Sequence, residues 1–205
     1  MIGYYNYTVW VTYLGMAFSV VGITLAVEGH TTWAVAFLML SGFCDSIDGM
    51  VARTKKDRTK QETRFGMQID SLCDVLCFGI YPAVICYTLG VSGIIGKMVL
   101  VFYCGCGIIR LAYFNVLEEE KREGAKLYYH GLPITFMSAI LPLAYLLRIW
   151  LTEGVFSVWL HVVLVITGLF FILDIPVPRT RVCVAVSLMM TDIAAVVFCM
   201  FSGVW

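Results

Sequence analysis

Runs of about twenty apolar residues follow one another almost without pause along this chain, at about 8–27, 32–53, 66–90, 92–116, 132–152, 155–175 and 182–203. A helix needs roughly twenty such residues to cross the hydrocarbon of a bilayer. Lipid offers no partner to backbone N–H and C=O groups, so each run must be a helix that satisfies them internally. The expected fold is therefore all-α, a single polytopic membrane bundle over residues 1–205 with six to seven transmembrane helices. The run 182–203 contains Asp192 and reads either as an extra C-terminal span or as a re-entrant or interfacial helix. With 60% of residues hydrophobic and 14% charged, and a mean hydropathy of +0.88, a soluble domain is excluded.

Net charge is zero and carries no information about partners, but the placement of charge does. Arg53, Lys55, Lys56, Arg58, Lys60 and Arg64 follow the second run; Lys121, Arg122 and Lys126 follow the fourth; Arg179 and Arg181 follow the sixth. Those eleven cations share one side, against Lys97 and Arg148 on the other, with Arg110 inside the fourth run. Excess Lys and Arg marks the cytoplasmic side, so the N-terminus and all three basic loops are expected there. Lysine and arginine are absent before Arg53, so no basic leader region is seen and the first span is expected to be retained. The eight cysteines fall in apolar runs without a CxxC pair and read as reduced, buried small hydrophobes.

Against this background four aspartates stand out. The chain reads Asp45-Ser-Ile-Asp48-Gly49-Met-Val-Ala52-Arg53, then twelve residues to Gly66, then Asp70 and Asp74. A charge at a span centre costs about 2.5–3.5 kcal/mol on insertion scales unless something offsets it. On a helix Asp45, Asp48, Gly49 and Ala52 share a sector of about 100°. Asp70 and Asp74, at i and i+4, share another face, with Gly66 one turn earlier. If the second and third spans pack against each other across the basic loop, the carboxylates converge, and hard divalent cations such as Mg²⁺ or Mn²⁺ are their natural occupants. Gly49, Ala52 and Gly66 clear space for a ligand beside them, and Arg53 offers a fork of donors to phosphate. Together these describe a site for a diphosphate whose other end is lipid. A cation transporter fits less well, because the carboxylates cluster at one membrane face and no inverted repeat is present.

These residues resemble the CDP-alcohol phosphotransferases, whose signature D-x2-D-G-x2-A-R-x8-G-x3-D-x3-D has every fixed position matched within 45–74. The departure is the gap between Arg53 and Gly66, twelve residues rather than eight, about one helical turn longer. The resemblance covers at least residues 8–175. Asp70-Ser-Leu-Cys-Asp74, Phe78-Gly79, Pro82-Ala83, Arg110-Leu-Ala-Tyr-Phe-Asn115, Gly131-Leu-Pro133 and Ile175-Pro-Val-Pro178 are similar to runs of the phosphatidylserine synthase branch, with Tyr113 in place of an arginine.

The resemblance implies an integral enzyme of the cell membrane, with its active site facing the cytoplasm, in phospholipid biosynthesis. It would transfer the phosphatidyl group of CDP-diacylglycerol to L-serine and release CMP. Asp45, Asp48, Asp70 and Asp74 would hold two divalent ions, Mg²⁺ or Mn²⁺, with Asp74 also the general base. Asp48, Gly49, Ala52, Arg53 and Gly66 would bind the nucleotide and diphosphate, while Arg110 and Asn115 would meet the acceptor. The alternative acceptors are glycerol phosphate, an inositol phosphate or choline. A homodimer embedded in membrane lipid is expected, and no nucleic-acid partner.

Overall fold

The computed structural model describes residues 3, 7–55, 57, 59–122 and 131–174. The run 182–203 with Asp192, the link carrying Arg179 and Arg181, and Lys56, Arg58 and Lys126 lie outside the described residues. Those that are described form helices, with no strand among them: α1 (Trp10–Val27), α2 (Thr31–Thr54), α3 (Lys60–Asp74), α4 (Tyr81–Thr88), α5 (Gly93–Arg122), α6 (Met137–Leu146) and α7 (Glu153–Ile172). A π-helical segment, Val75–Ile80, joins α3 to α4, so that Lys60–Thr88 is one continuous span. Among the described residues, five helices are long and apolar enough to cross a membrane. The expected span at 132–152 is shorter, Ile134–Ile149, and is built from α6 between two 3₁₀ turns. Pro133, in extended backbone, sets the start of the segment, and Pro142 sits inside α6 without an N–H to donate to the preceding turn.

α3 begins a turn and a half before the apolar run, because Thr59 and Glu62 form a capping box. Thr59 Oγ1 accepts from the Glu62 N–H at 3.1 Å, and Glu62 Oε2 accepts from the Thr59 N–H at 2.8 Å. Such caps stabilise a helix start by about 0.5–2 kcal/mol. Lys55 adds an ion pair to Glu62 at 3.2 Å. Six of the twelve residues between Arg53 and Gly66, Lys60 to Phe65, belong to the opening turns of α3.

α1 packs most extensively on α2, and α5 on α7, while α1 also touches α3 and α4. Close approach needs the missing side chain at Gly22, where a Cβ would overlap the Tyr81 hydroxyl. That hydroxyl donates to Ala34 O, tying α4 to α2. The π segment leaves carbonyls to satisfy in apolar surroundings, and Pro82 has no N–H to offer the preceding turn. α5 supplies the donors: the Tyr103 hydroxyl to Phe78 O, and Cys104 Sγ to Gly79 O at 3.5 Å. Around these lie the fully buried Leu38, Met39, Ile85, Met137, Leu141 and Leu164. At the N-terminal end of α2, away from the aspartates and the basic loop, Thr31 meets Tyr145 at 3.1 Å and Arg148 at 3.5 Å. The six cysteines described are free thiols, five buried and Cys104 half-buried, as their apolar settings imply.

Candidate active site

The C-terminal half of α2 and the C-terminal half of α3 bring the aspartates together. Asp45, Asp70 and Asp74 each present a carboxylate oxygen, and these atoms lie within 4.8 Å of one another, a group able to hold a metal ion. Asp48 stands beside this trio. Its side chain faces Asp70, as that of Asp45 faces Asp74, carboxylate against carboxylate. Asp48 Oδ2 also accepts from Thr12 Oγ1 on α1 at 3.0 Å. The convergence arises less from α2 packing on α3 than from α1, which packs on both and on the π segment after Asp74. π-helical turns recur at functional sites.

Two cavities meet here. A cleft of about 200 Å³ is lined by Thr12, Asp48, Gly49, Ala52, Thr63, Gly66, Met67, Asp70, Phe114 and Glu118, together with Val9. Gly49, Ala52 and Gly66 line this open cleft beside Asp48 and Asp70. A second pocket of about 10 Å³, close to the room one water requires, lies deeper, among Asp45, Asp48, Asp74, Thr12 and Ser41. Like charges this close repel, and a cation between them would relieve that repulsion. Among the described residues the ion pairs are Lys55–Glu62 at 3.2 Å and Arg64–Glu119 at 3.7 Å, and neither reaches the aspartates. An oxygen-only donor set of clustered carboxylates fits a hard divalent ion.

The remaining predicted residues separate into two places. Arg53 continues α2 towards its end, and its side chain lies outside the described residues. Asn115 on α5 is joined to α3, its Oδ1 accepting from Ser71 Oγ at 2.8 Å, outside the residues that line the two cavities. Arg110, one helical turn and more away on α5, is only 7% exposed. It points into the protein rather than along the membrane surface. Its Nε donates to Leu132 O at 3.2 Å, its Nη2 reaches Gly131 O at 3.5 Å, and the guanidinium lies 5.7 Å from the centre of the Phe114 ring. Gly131 holds a positive φ of +81°, and a Cβ there would crowd Phe171 O at 3.1 Å and Arg110 Nε at 3.4 Å. The Gly131-Leu132-Pro133 run is thus the turn that Arg110 clasps.

Sequence reasoning missed Thr12, Phe114 and Glu118 as wall residues. Phe114 and Glu118 follow Arg110 at helical spacings and were accessible to a periodicity argument; Thr12 sits in a span with no motif to point at it.

A model of the CDP-alcohol phosphatidyltransferase family matches residues 5–173 of the chain. Over 131 residues the chain is 35% identical to a CDP-diacylglycerol–serine O-phosphatidyltransferase of Saccharomyces cerevisiae, covering 61% of this chain and 46% of that protein. It is 33% identical over 129 residues to an archaetidylserine synthase of Methanothermobacter thermautotrophicus, 60% of this chain and 51% of that one. A CDP-diacylglycerol–serine O-phosphatidyltransferase of Methanocaldococcus jannaschii is 31% identical over 145 residues, 70% of this chain and 63% of that protein. The chain spans about half the length of the curated relatives it matches.

Proposed function

This chain belongs to the CDP-alcohol phosphatidyltransferase family, and from that membership we propose that it transfers the phosphatidyl group of CDP-diacylglycerol to the hydroxyl of L-serine, with release of CMP. The observation that carries the reading is the meeting of Asp45, Asp70 and Asp74 oxygens within 4.8 Å beside a cleft whose lining includes Gly49, Ala52 and Gly66. The choice of serine is supported by the names of relatives that are 30–35% identical.

Asp45, Asp48, Asp70 and Asp74 would hold two divalent ions, Mg²⁺ or Mn²⁺. Bound there, such ions would offset the charge of the diphosphate and supply electrostatic stabilisation to the displacement at phosphorus. Gly49, Ala52 and Gly66 admit the nucleotide close to the backbone, Arg53 contacts the diphosphate, and the acyl chains stay in lipid. Asp74 takes the proton of the serine hydroxyl. The serine oxygen bonds to the phosphatidyl phosphorus, the bond from that phosphorus to the bridging oxygen breaks, and CMP departs with the electron pair. Arg110 and Asn115 meet the serine. The enzyme works as a homodimer in the cell membrane, its site open to the cytoplasm, where serine and CMP are soluble.

The test is CMP release by the purified chain given CDP-diacylglycerol and a panel of alcohols. Release should require L-serine and Mg²⁺ or Mn²⁺, and EDTA should stop it. Turnover with glycerol phosphate, an inositol phosphate or choline and none with serine would overturn the acceptor; release unaffected by EDTA would overturn the metal-dependent scheme.

A further inference from the structure

Thr12 and Asp48 are the residues that line both the cleft and the small pocket between the carboxylates. The hydrogen bond between them, Thr12 Oγ1 to Asp48 Oδ2 at 3.0 Å, therefore forms part of the partition between the space for a ligand and the space for an ion. Asp48 is 8% exposed, so water has little access to hold its carboxylate in one orientation. One oxygen is fixed towards α1 by the threonine hydroxyl, and the side chain faces Asp70 as well. The approach of α1 is built in one turn later: at Gly15 a Cβ would lie only 3.2 Å from Cys44 Cβ on α2. A bulkier residue at 15 would lift α1, and the hydroxyl with it, away from Asp48.

We infer that Thr12 is a positioning residue of the metal and diphosphate site, orienting Asp48 from a helix that carries none of the signature residues. The inference rests on the reading of Asp48 as a metal ligand. A hydrogen-bond donor behind a ligating carboxylate fixes its direction, and loss of such a partner typically weakens metal affinity about 10–100-fold. Thr12→Val keeps the shape and removes the donor; Thr12→Ser keeps the donor and removes a methyl group.

The experiment measures Mn²⁺ binding by electron paramagnetic resonance to the purified full chain, without either substrate, alongside thermal melting. Thr12→Val should raise the Mn²⁺ dissociation constant about tenfold or more with little change in melting, and Thr12→Ser should stay within about threefold of the unaltered chain. Affinity preserved in Thr12→Val while Asp48→Asn loses it overturns the positioning role and leaves Asp48 a ligand. Affinity preserved in both variants overturns the positioning role together with the assignment of Asp48. A Thr12→Ser chain as defective as Thr12→Val also overturns it, since the hydroxyl would then not be the active part.

Discussion

Ser71 donates its hydroxyl hydrogen to Asn115 Oδ1 at 2.8 Å, joining the helix of Asp70 and Asp74 to the helix of Arg110. The bond lies between the last two signature aspartates in sequence and ties the metal side of the site to the side proposed for the acceptor. Ser71→Ala and Asn115→Ala should each destabilise the chain, and a double-mutant cycle on thermal stability should return a coupling of about 0.5–1.5 kcal/mol. Asn115→Ala should also raise the serine KM. Strictly additive single variants would show that this bond joins nothing of consequence.

Asp74 and Asp70 should differ in what their loss removes. Asp74→Asn should lower CMP release by about 100-fold or more, the usual weight of a general base, while CDP-diacylglycerol binding persists on the three remaining carboxylates. Asp70→Asn should weaken Mn²⁺ and nucleotide binding together. Near-normal turnover in Asp74→Asn would take that residue out of the base role.

Arg110 has a structural duty towards Gly131 and Leu132 and a proposed one towards serine. A charge-assisted bond to the serine carboxylate contributes about 1.5–3 kcal/mol, so Arg110→Ala should weaken serine use about ten- to a hundredfold. The KM for CDP-diacylglycerol should move far less. Folded Arg110→Ala protein with unaltered serine kinetics would leave the residue as the clasp of its turn alone.

Sidedness is open to direct labelling. Lys60, at the start of α3, and Gly154, at the start of α7, are both exposed. A cysteine at Lys60 should react with an impermeant thiol reagent from the cytoplasmic side, and one at Gly154 from outside. The reverse pattern would place the aspartates away from the cytoplasmic serine and defeat the proposed orientation.

The hydroxyl of Tyr103 donates to Phe78 O within the π segment that follows Asp74. Tyr103→Phe leaves that buried carbonyl without this donor, which costs about 1–3 kcal/mol. The variant should melt earlier in detergent, and its CMP release should fall as the segment loosens. A melting curve identical to the unaltered chain would show that the carbonyl finds its partner elsewhere.

The helical class, the position of α1, α2, α5 and α7 and the signature aspartates were legible in the residue order, because a bilayer permits one backbone solution and because charge inside it is costly wherever it falls. The capping box at Thr59 and Glu62 was also written there, in the Thr-x-x-Glu spacing that starts α3 early. The tertiary structure alone decided the rest. Helix periodicity gives the face on which Asp48 lies but not which helix meets that face, and the partner is Thr12 of α1, thirty-six positions away. Nor does the run from Gly66 to Gly90 disclose a π segment, since its cause is distributed: Pro82 withholds a donor, and Tyr103 and Cys104 on another helix supply two. Arg110 could equally have reached water, phosphate or serine by its sequence position. Burial against the Gly131 turn was set by packing between α5 and α7, contacts made between residues far apart in the chain, which no local pattern records.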